Sequence, residues 1–156
     1  MMIVKESNSR EDTYRIGREL SEQAVPGQVF CFFGDLGVGK TIFSQGFAKG
    51  LGVDDIVNSP TFTIVKEYDN GRLPLYHFDV YRIGDVDEME EIGYNEMVYG
   101  DGVCLIEWAN LICLLYTSDA ADDLTSRGLG DVYKRQYEDP RSGQLRAGCI
   151  RCLIRE

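Results

Sequence analysis

Apolar positions recur along this chain in two rhythms. Ile16, Leu20 and Ala24 stand four apart, one stripe of a helix. Ser9 precedes the stripe as an N-cap, and Glu11 and Asp12 fall in the first turn, where the helix dipole favours acids. Pro26-Gly27 cannot continue that helix. Residues 28–33 then run apolar without alternation (Val29-Phe30-Cys31-Phe32-Phe33), as in a parallel strand covered on both faces. From Lys40, a period of four returns with Phe43, Phe47 and Leu51, and Gly50 and Gly52 supply the stop.

Further along, residues 61–68 and 73–79 are rich in aromatic and β-branched types and flank Asp69-Asn70-Gly71-Arg72. They predict a β-hairpin whose Asn-Gly pair tolerates positive φ. Residues 85–98 predict one acidic helix with Met89, Ile92 and Met97 toward the core, ended by Gly100-Asp101-Gly102, and residues 103–107 a second buried strand. Residues 2–5 fit a short edge strand. This order predicts a three-layer α/β fold: a small, mostly parallel sheet with helices on both faces and an inserted hairpin.

The chain has 156 residues, 44% apolar and 27% charged, with a net charge of −10. That is one domain at most, and the balance excludes collagen-like, disulfide-scaffold and disordered classes. No apolar run is long enough to cross a bilayer, so no membrane partner is expected, and the location expected is cytoplasmic. Five cysteines without a secretion signal are expected to stay reduced; Cys149-x-x-Cys152 lacks a second pair or a nearby His and reads as chance. The acidic field argues against a free-standing nucleic-acid binder.

All the net charge lies in residues 1–112, which hold 19 acids and 9 bases, against 7 and 7 beyond. Two hexapeptides beyond that point, residues 113–118 and 131–136, back-translate as TGT CTC TTA TAC ACA TCT and GAT GTG TAT AAG AGA CAG. Offset by one base these are reverse complements, and they resemble the two orientations of a transposon mosaic end used in sequencing-library adapters. Asp119-Ala120-Ala121-Asp122 fits the adjoining adapter. The expected organisation is a P-loop domain over residues 1–112 cut short of its C-terminal strands, translated adapter over 113–136 and an unrelated tail over 137–156.

Gly34-Asp35-Leu36-Gly37-Val38-Gly39-Lys40-Thr41 fits G-x-x-x-x-G-K-[ST] between a predicted strand and a predicted helix. Glycines let successive backbone N–H groups converge on phosphate oxygens, and the following helix adds unpaired N–H groups and positive dipole. Residues 35–41 are therefore expected to wrap a β-phosphate, Lys40 to reach the β- and γ-phosphates, and Thr41 to complete a magnesium site. Magnesium needs an acid nearby: Glu107 ends Val103-Cys104-Leu105-Ile106 and Asp79 ends Leu75-Tyr76-His77-Phe78, both at the carboxyl edge of the sheet where ligands bind. One is expected to bind metal and the other to position water.

Together with the phosphate loop, Ser59-Pro60-Thr61-Phe62-Thr63, His77-Phe78-Asp79-Val80-Tyr81-Arg82 and Ile106-Glu107-Trp108 resemble, in order and spacing, the TsaE (YjeE) family, small bacterial P-loop ATPases of tRNA threonylcarbamoyladenosine biosynthesis. The resemblance covers roughly residues 10–110. It implies ATP and Mg2+ as cofactors and TsaD and TsaB as partners, with tRNA met only indirectly. It also implies that Ser59 and Thr61 form a switch-like segment near the γ-phosphate, that Lys40, Asp79 and Glu107 carry catalysis, with Asp79, Glu107 and Thr41 at the metal, and that Trp108 lines the nucleotide site. Arg82 is a weaker candidate for contacting charge or a partner, and His77 is left out of catalysis. The alternatives are a small-molecule phosphotransferase, which would need arginines where residues 42–112 offer only Arg72 and Arg82, and a nucleotide-dependent interaction module without appreciable hydrolysis. No Asn-Lys-x-Asp segment is present to read guanine.

Overall fold

The computed structural model describes residues 5–111 and 151–155. Five strands form one sheet in the order β2-β3-β4-β1-β5: β1 Val29–Phe33, β2 Val65–Tyr68, β3 Leu75–Asp79, β4 Val103–Glu107 and β5 Arg151–Arg155. The central strands β3, β4 and β1 run parallel, and β2 and β5 lie antiparallel at the two edges. Helices α1 (Arg10–Glu22) and α2 (Lys40–Gly50) cover one face, and the short α3 (Val86–Glu91) and α4 (Tyr94–Val98) lie on the other. The three-layer α/β arrangement with its hairpin, β2–β3, is the one the apolar pattern predicts.

The two faces are sorted by strand parity. Phe30, Phe32, Leu75, Val103 and Leu105 pack with Phe43, Phe47 and Leu51, whereas Val29, Cys31, Phe78, Cys104 and Ile106 pack with Met89, Tyr94 and Val98. Phe47 meets Phe30 and Phe43 meets Phe32 edge-on, with ring centroids 4.8 and 4.9 Å apart, an arrangement worth about 0.5–1.5 kcal/mol per pair beyond area burial. Ser9 caps α1 by accepting a hydrogen bond from the Asp12 backbone N–H at 3.0 Å.

Several local readings change. The first hairpin strand begins at Val65, because Thr63 and Ile64 donate backbone hydrogen bonds to the Pro60 carbonyl in a turn and Ile64 has φ 67°. The single helix predicted over 85–98 is two, divided at Gly93, whose φ of 76° leaves the helical region. Gly50 is the last residue of α2 rather than its stop: a Cβ there would collide with Arg18 and Ser21 of α1, as one at Gly46 would with the Tyr14 carbonyl. The glycines thus let α1 and α2 approach closely. Residues 2–4 of the expected edge strand lie outside the described residues, as does the segment 113–136. Within the expected unrelated tail, Arg151–Arg155 pair with Val29–Phe33, so the sheet edge beside β1 is covered.

Candidate phosphate-loop site

Residues 34–41 join the end of β1 to the start of α2, and their glycines take conformations that L side chains rarely adopt: φ is 142° at Gly34, 81° at Gly37 and 101° at Gly39. Gly37 has open space on its Cβ side, with no heavy atom within 4 Å. The loop backbone around it is accordingly uncovered. Asp35, Leu36 and Gly37 are exposed, Val38, Gly39 and Thr41 half-buried, and Thr41 is the second residue of α2.

Lys40 is buried. Its Nζ donates to the Gly34 and Asp35 carbonyls at 2.7 Å each and lies 4.1 Å from the centre of the Trp108 ring. Desolvation pulls its pKa below the ordinary lysine value, while the charges of Glu107, Asp79 and Asp35 oppose that shift. Trp108, at φ 61° just beyond β4, also packs on Tyr81 with centroids 5.0 Å apart.

The two strand-end acids are register partners on β3 and β4, and both are buried at 2% exposure. Asp79 already has both oxygens in use. Oδ2 accepts from the Ser59 and Thr61 hydroxyls at 2.8 Å each, and Oδ1 accepts from the Tyr81 backbone N–H at 3.0 Å. The Ser59 and Thr61 hydroxyls also meet each other at 2.9 Å. Asp79 therefore tethers the Ser59–Thr61 segment to the end of β3. Glu107 differs: His77 Nε2 at 2.8 Å and Ser44 Oγ at 3.5 Å both meet its Oε1.

The fold thus brings the loop and the seven marked side chains Lys40, Thr41, Ser59, Thr61, Asp79, Glu107 and Trp108 to one end of the sheet, together with three more that the sequence does not mark as site residues. These are His77 and Ser44, which meet Glu107, and Tyr81, which packs on Trp108. Arg72 is committed elsewhere, donating to the Ser21 and Ala24 carbonyls at 2.8 and 3.0 Å. Arg82 is exposed, its guanidinium 4.7 Å over the ring of Phe62. Neither arginine forms an acceptor-binding clamp. Among the described residues no three His, Cys, Asp or Glu side chains form a metal cage. Magnesium on a phosphate loop needs none, since it keeps several waters and takes phosphate oxygens.

A family model described as threonylcarbamoyl adenosine biosynthesis protein TsaE matches residues 7–135. The chain belongs to the TsaE family. Among its relatives, the tRNA threonylcarbamoyladenosine biosynthesis protein TsaE of Bacillus subtilis (strain 168) is 50% identical over 131 residues, 84% of this chain and 77% of that protein. The TsaE of Treponema pallidum (strain Nichols) is 44% identical over 106 residues, 68% and 78% respectively. The crystal structure of Bacillus subtilis YdiB superimposes with a TM-score of 0.58 at 46% identity, over 72% of this chain and 70% of that one. The TsaE sheet and loop described above are therefore those of a known fold.

Proposed function

We propose that this TsaE family member is a Mg2+-dependent ATPase that works in tRNA threonylcarbamoyladenosine biosynthesis with TsaB and TsaD as partners. The observation that carries the reading is the pairing of an uncovered glycine loop with a buried lysine that packs on Trp108, the residue after buried Glu107, which is itself in register with buried Asp79. One lysine cannot neutralise a triphosphate beside Asp79 and Glu107, so a divalent cation has to arrive with the nucleotide. On this reading Thr41 and Glu107 would hold that cation or its waters. Its chemistry, when bound, is to neutralise charge developing on the transferring phosphoryl group.

The chain's own groups then divide the work. Loop amides over residues 35–41 bind the phosphates, Lys40 leaves the Gly34 and Asp35 carbonyls for phosphate oxygens, and Trp108 flanks that lysine. Glu107 orients water, and Asp79 holds Ser59 and Thr61 where their hydroxyls can exchange Asp79 for the γ-phosphate. A phosphotransferase is disfavoured because Arg72 is bound to the Ser21 and Ala24 carbonyls and Arg82 rests on Phe62. No helix among the described residues is long and apolar enough to cross a membrane; tRNA work places the protein in the cytoplasm, and its charge of −10 leaves the polyanion to its partners.

The test is ATP turnover by the full chain, alone and mixed with TsaB and TsaD, with and without magnesium, alongside Lys40→Ala. The expected result is turnover that needs magnesium, rises with both partners and is lost in the variant. ATP binding without any turnover in the mixture would favour the interaction-module reading instead, and turnover unchanged by Lys40→Ala would overturn the site.

A further inference from the structure

One buried polar side chain at this end of the sheet has no part in the reading above. His77 lies on β3 two residues before Asp79, on the face covered by α2, and is 0% exposed. Its Nε2 lies 2.8 Å from Glu107 Oε1. Ser44 approaches the same oxygen at 3.5 Å, but its single hydroxyl proton is better spent on the Lys40 carbonyl at 3.0 Å. The short contact on Glu107 is therefore the histidine's.

The ring's other nitrogen fixes the tautomer. Nδ1 is buried without a hydrogen-bond partner among the described residues. Donation to a carboxylate requires the proton on Nε2, which leaves Nδ1 as a lone pair; a buried orphan N–H is the rarer and costlier defect. The alternative partner for the Glu107 carboxylate is Lys40, the one buried ammonium among the described residues. A direct Glu107–Lys40 pair would occupy the group needed for phosphate and the group needed for water at once.

Resting on the ATPase reading above, we infer that His77 is a positioning residue for that reaction: its Nε2–H pins Glu107 Oε1, keeps the carboxylate off Lys40 and turns Oε2 toward the phosphate loop. An outer partner of this kind typically carries about 10–100-fold in activity. The effect passes entirely through Glu107, which separates it from ordinary core packing.

Two measurements test this. The chain has a single histidine, so imidazole-15N labelling of the nucleotide-free protein gives one pair of ring signals. They should report a protonated Nε2 and a bare Nδ1, with the Nε2 signal shifting in Glu107→Gln as the acceptor changes from carboxylate to amide. In turnover, His77→Leu should lower kcat about 10–100-fold with a smaller change in KM for ATP. His77→Gln, which keeps a donor near the Nε2 position, should recover most of it. Added to Glu107→Gln, His77→Leu should cost almost nothing further. An Nδ1-protonated ring, an Nε2 signal blind to Glu107→Gln, or losses that multiply in the double variant would overturn the inference while wild-type turnover stands. If His77→Leu does not fold, the wild-type spectrum and His77→Gln still decide it. Absence of turnover in the wild-type protein with its partners would instead overturn the ATPase reading.

Discussion

Replacing Asp79 separates two roles that a strand-end aspartate can play. In Asp79→Ala the Ser59 and Thr61 hydroxyls lose an acceptor at 2.8 Å and the Tyr81 N–H one at 3.0 Å. Bonds to an ionised acceptor contribute about 1.5–3 kcal/mol each, but removing the carboxylate also relieves a desolvation cost of several kcal/mol. The Ser59 and Thr61 hydroxyls are already within 2.9 Å of each other and half-buried, so they re-pair in part, and Tyr81 is 58% exposed, so water reaches its backbone. The net loss is about 2–4 kcal/mol, a fall in Tm of roughly 5–15 °C for a chain of this size.

Asp79→Asn behaves differently if the aspartate is a tether. The amide oxygen can accept from the Tyr81 N–H while the amide NH2 donates to the two hydroxyls, which rotate to accept. Shape and all three contacts survive, and the loss should stay below about 1.5 kcal/mol. Thermal melts of both variants, with hydrogen exchange at the amides of residues 58–64, make the comparison. The alanine variant should lose protection there and the asparagine variant keep it, with magnesium half-saturation of turnover near wild type in Asp79→Asn. Equal melting of Asp79→Ala and wild type would refute the tether. An Asp79→Asn protein of normal stability that needs far more magnesium would make the aspartate a metal ligand.

Phe47→Ala should destabilise the fold by about 3–5 kcal/mol, because Phe47 is 0% exposed and meets both Phe30 and Phe43; a loss under 1 kcal/mol in a urea melt would show that α2 is not held to the sheet as described. Lys40 gives a pH signature. Burial lowers its pKa in the nucleotide-free protein, and triphosphate charge should raise it again. At alkaline pH, between those two values, binding must therefore take up a proton, so affinity falls as pH rises through the lower one. Calorimetry in buffers of different ionisation enthalpy reads the uptake, and Lys40→Arg, which keeps its proton, should abolish it; identical uptake in both proteins would assign the proton elsewhere.

How much of this was legible in the sequence depended on whether the signal was local. The phosphate loop is written in consecutive residues, and the two buried strands announce themselves as apolar runs, so loop, strands and the helix between them follow directly. Residues 61–64 look like strand by composition, but pairing stops at Val65 because the Pro60 turn and the positive φ at Ile64 intervene, and no propensity reports that. Gly93 splits a helix that its acidic neighbours would otherwise continue. The His77–Glu107 contact is less visible still. It becomes readable only from register: with Asp79 opposite Glu107 in a parallel pair, the residue two before Asp79 shares its face. A lone histidine thirty positions from its partner carries no local trace of that.

The charge arrangement has a consequence for what the loop accepts. A chain of net charge −10 repels polyanions at long range, and two buried carboxylates repeat that repulsion at the site itself. Loop amides and one lysine, already satisfied by its own loop carbonyls, offer a free phosphate group little net gain over water. On the proposed reading, a magnesium-bound triphosphate would bring positive charge to Glu107, so an acid that disfavours a bare anion would favour the metal complex. On the proposed reading, the buried acids are thus selectivity elements as well as reactive ones. They are held in place by Ser59, Thr61 and His77, and on that reading they make the loop answer to nucleotide and metal together rather than to phosphate alone.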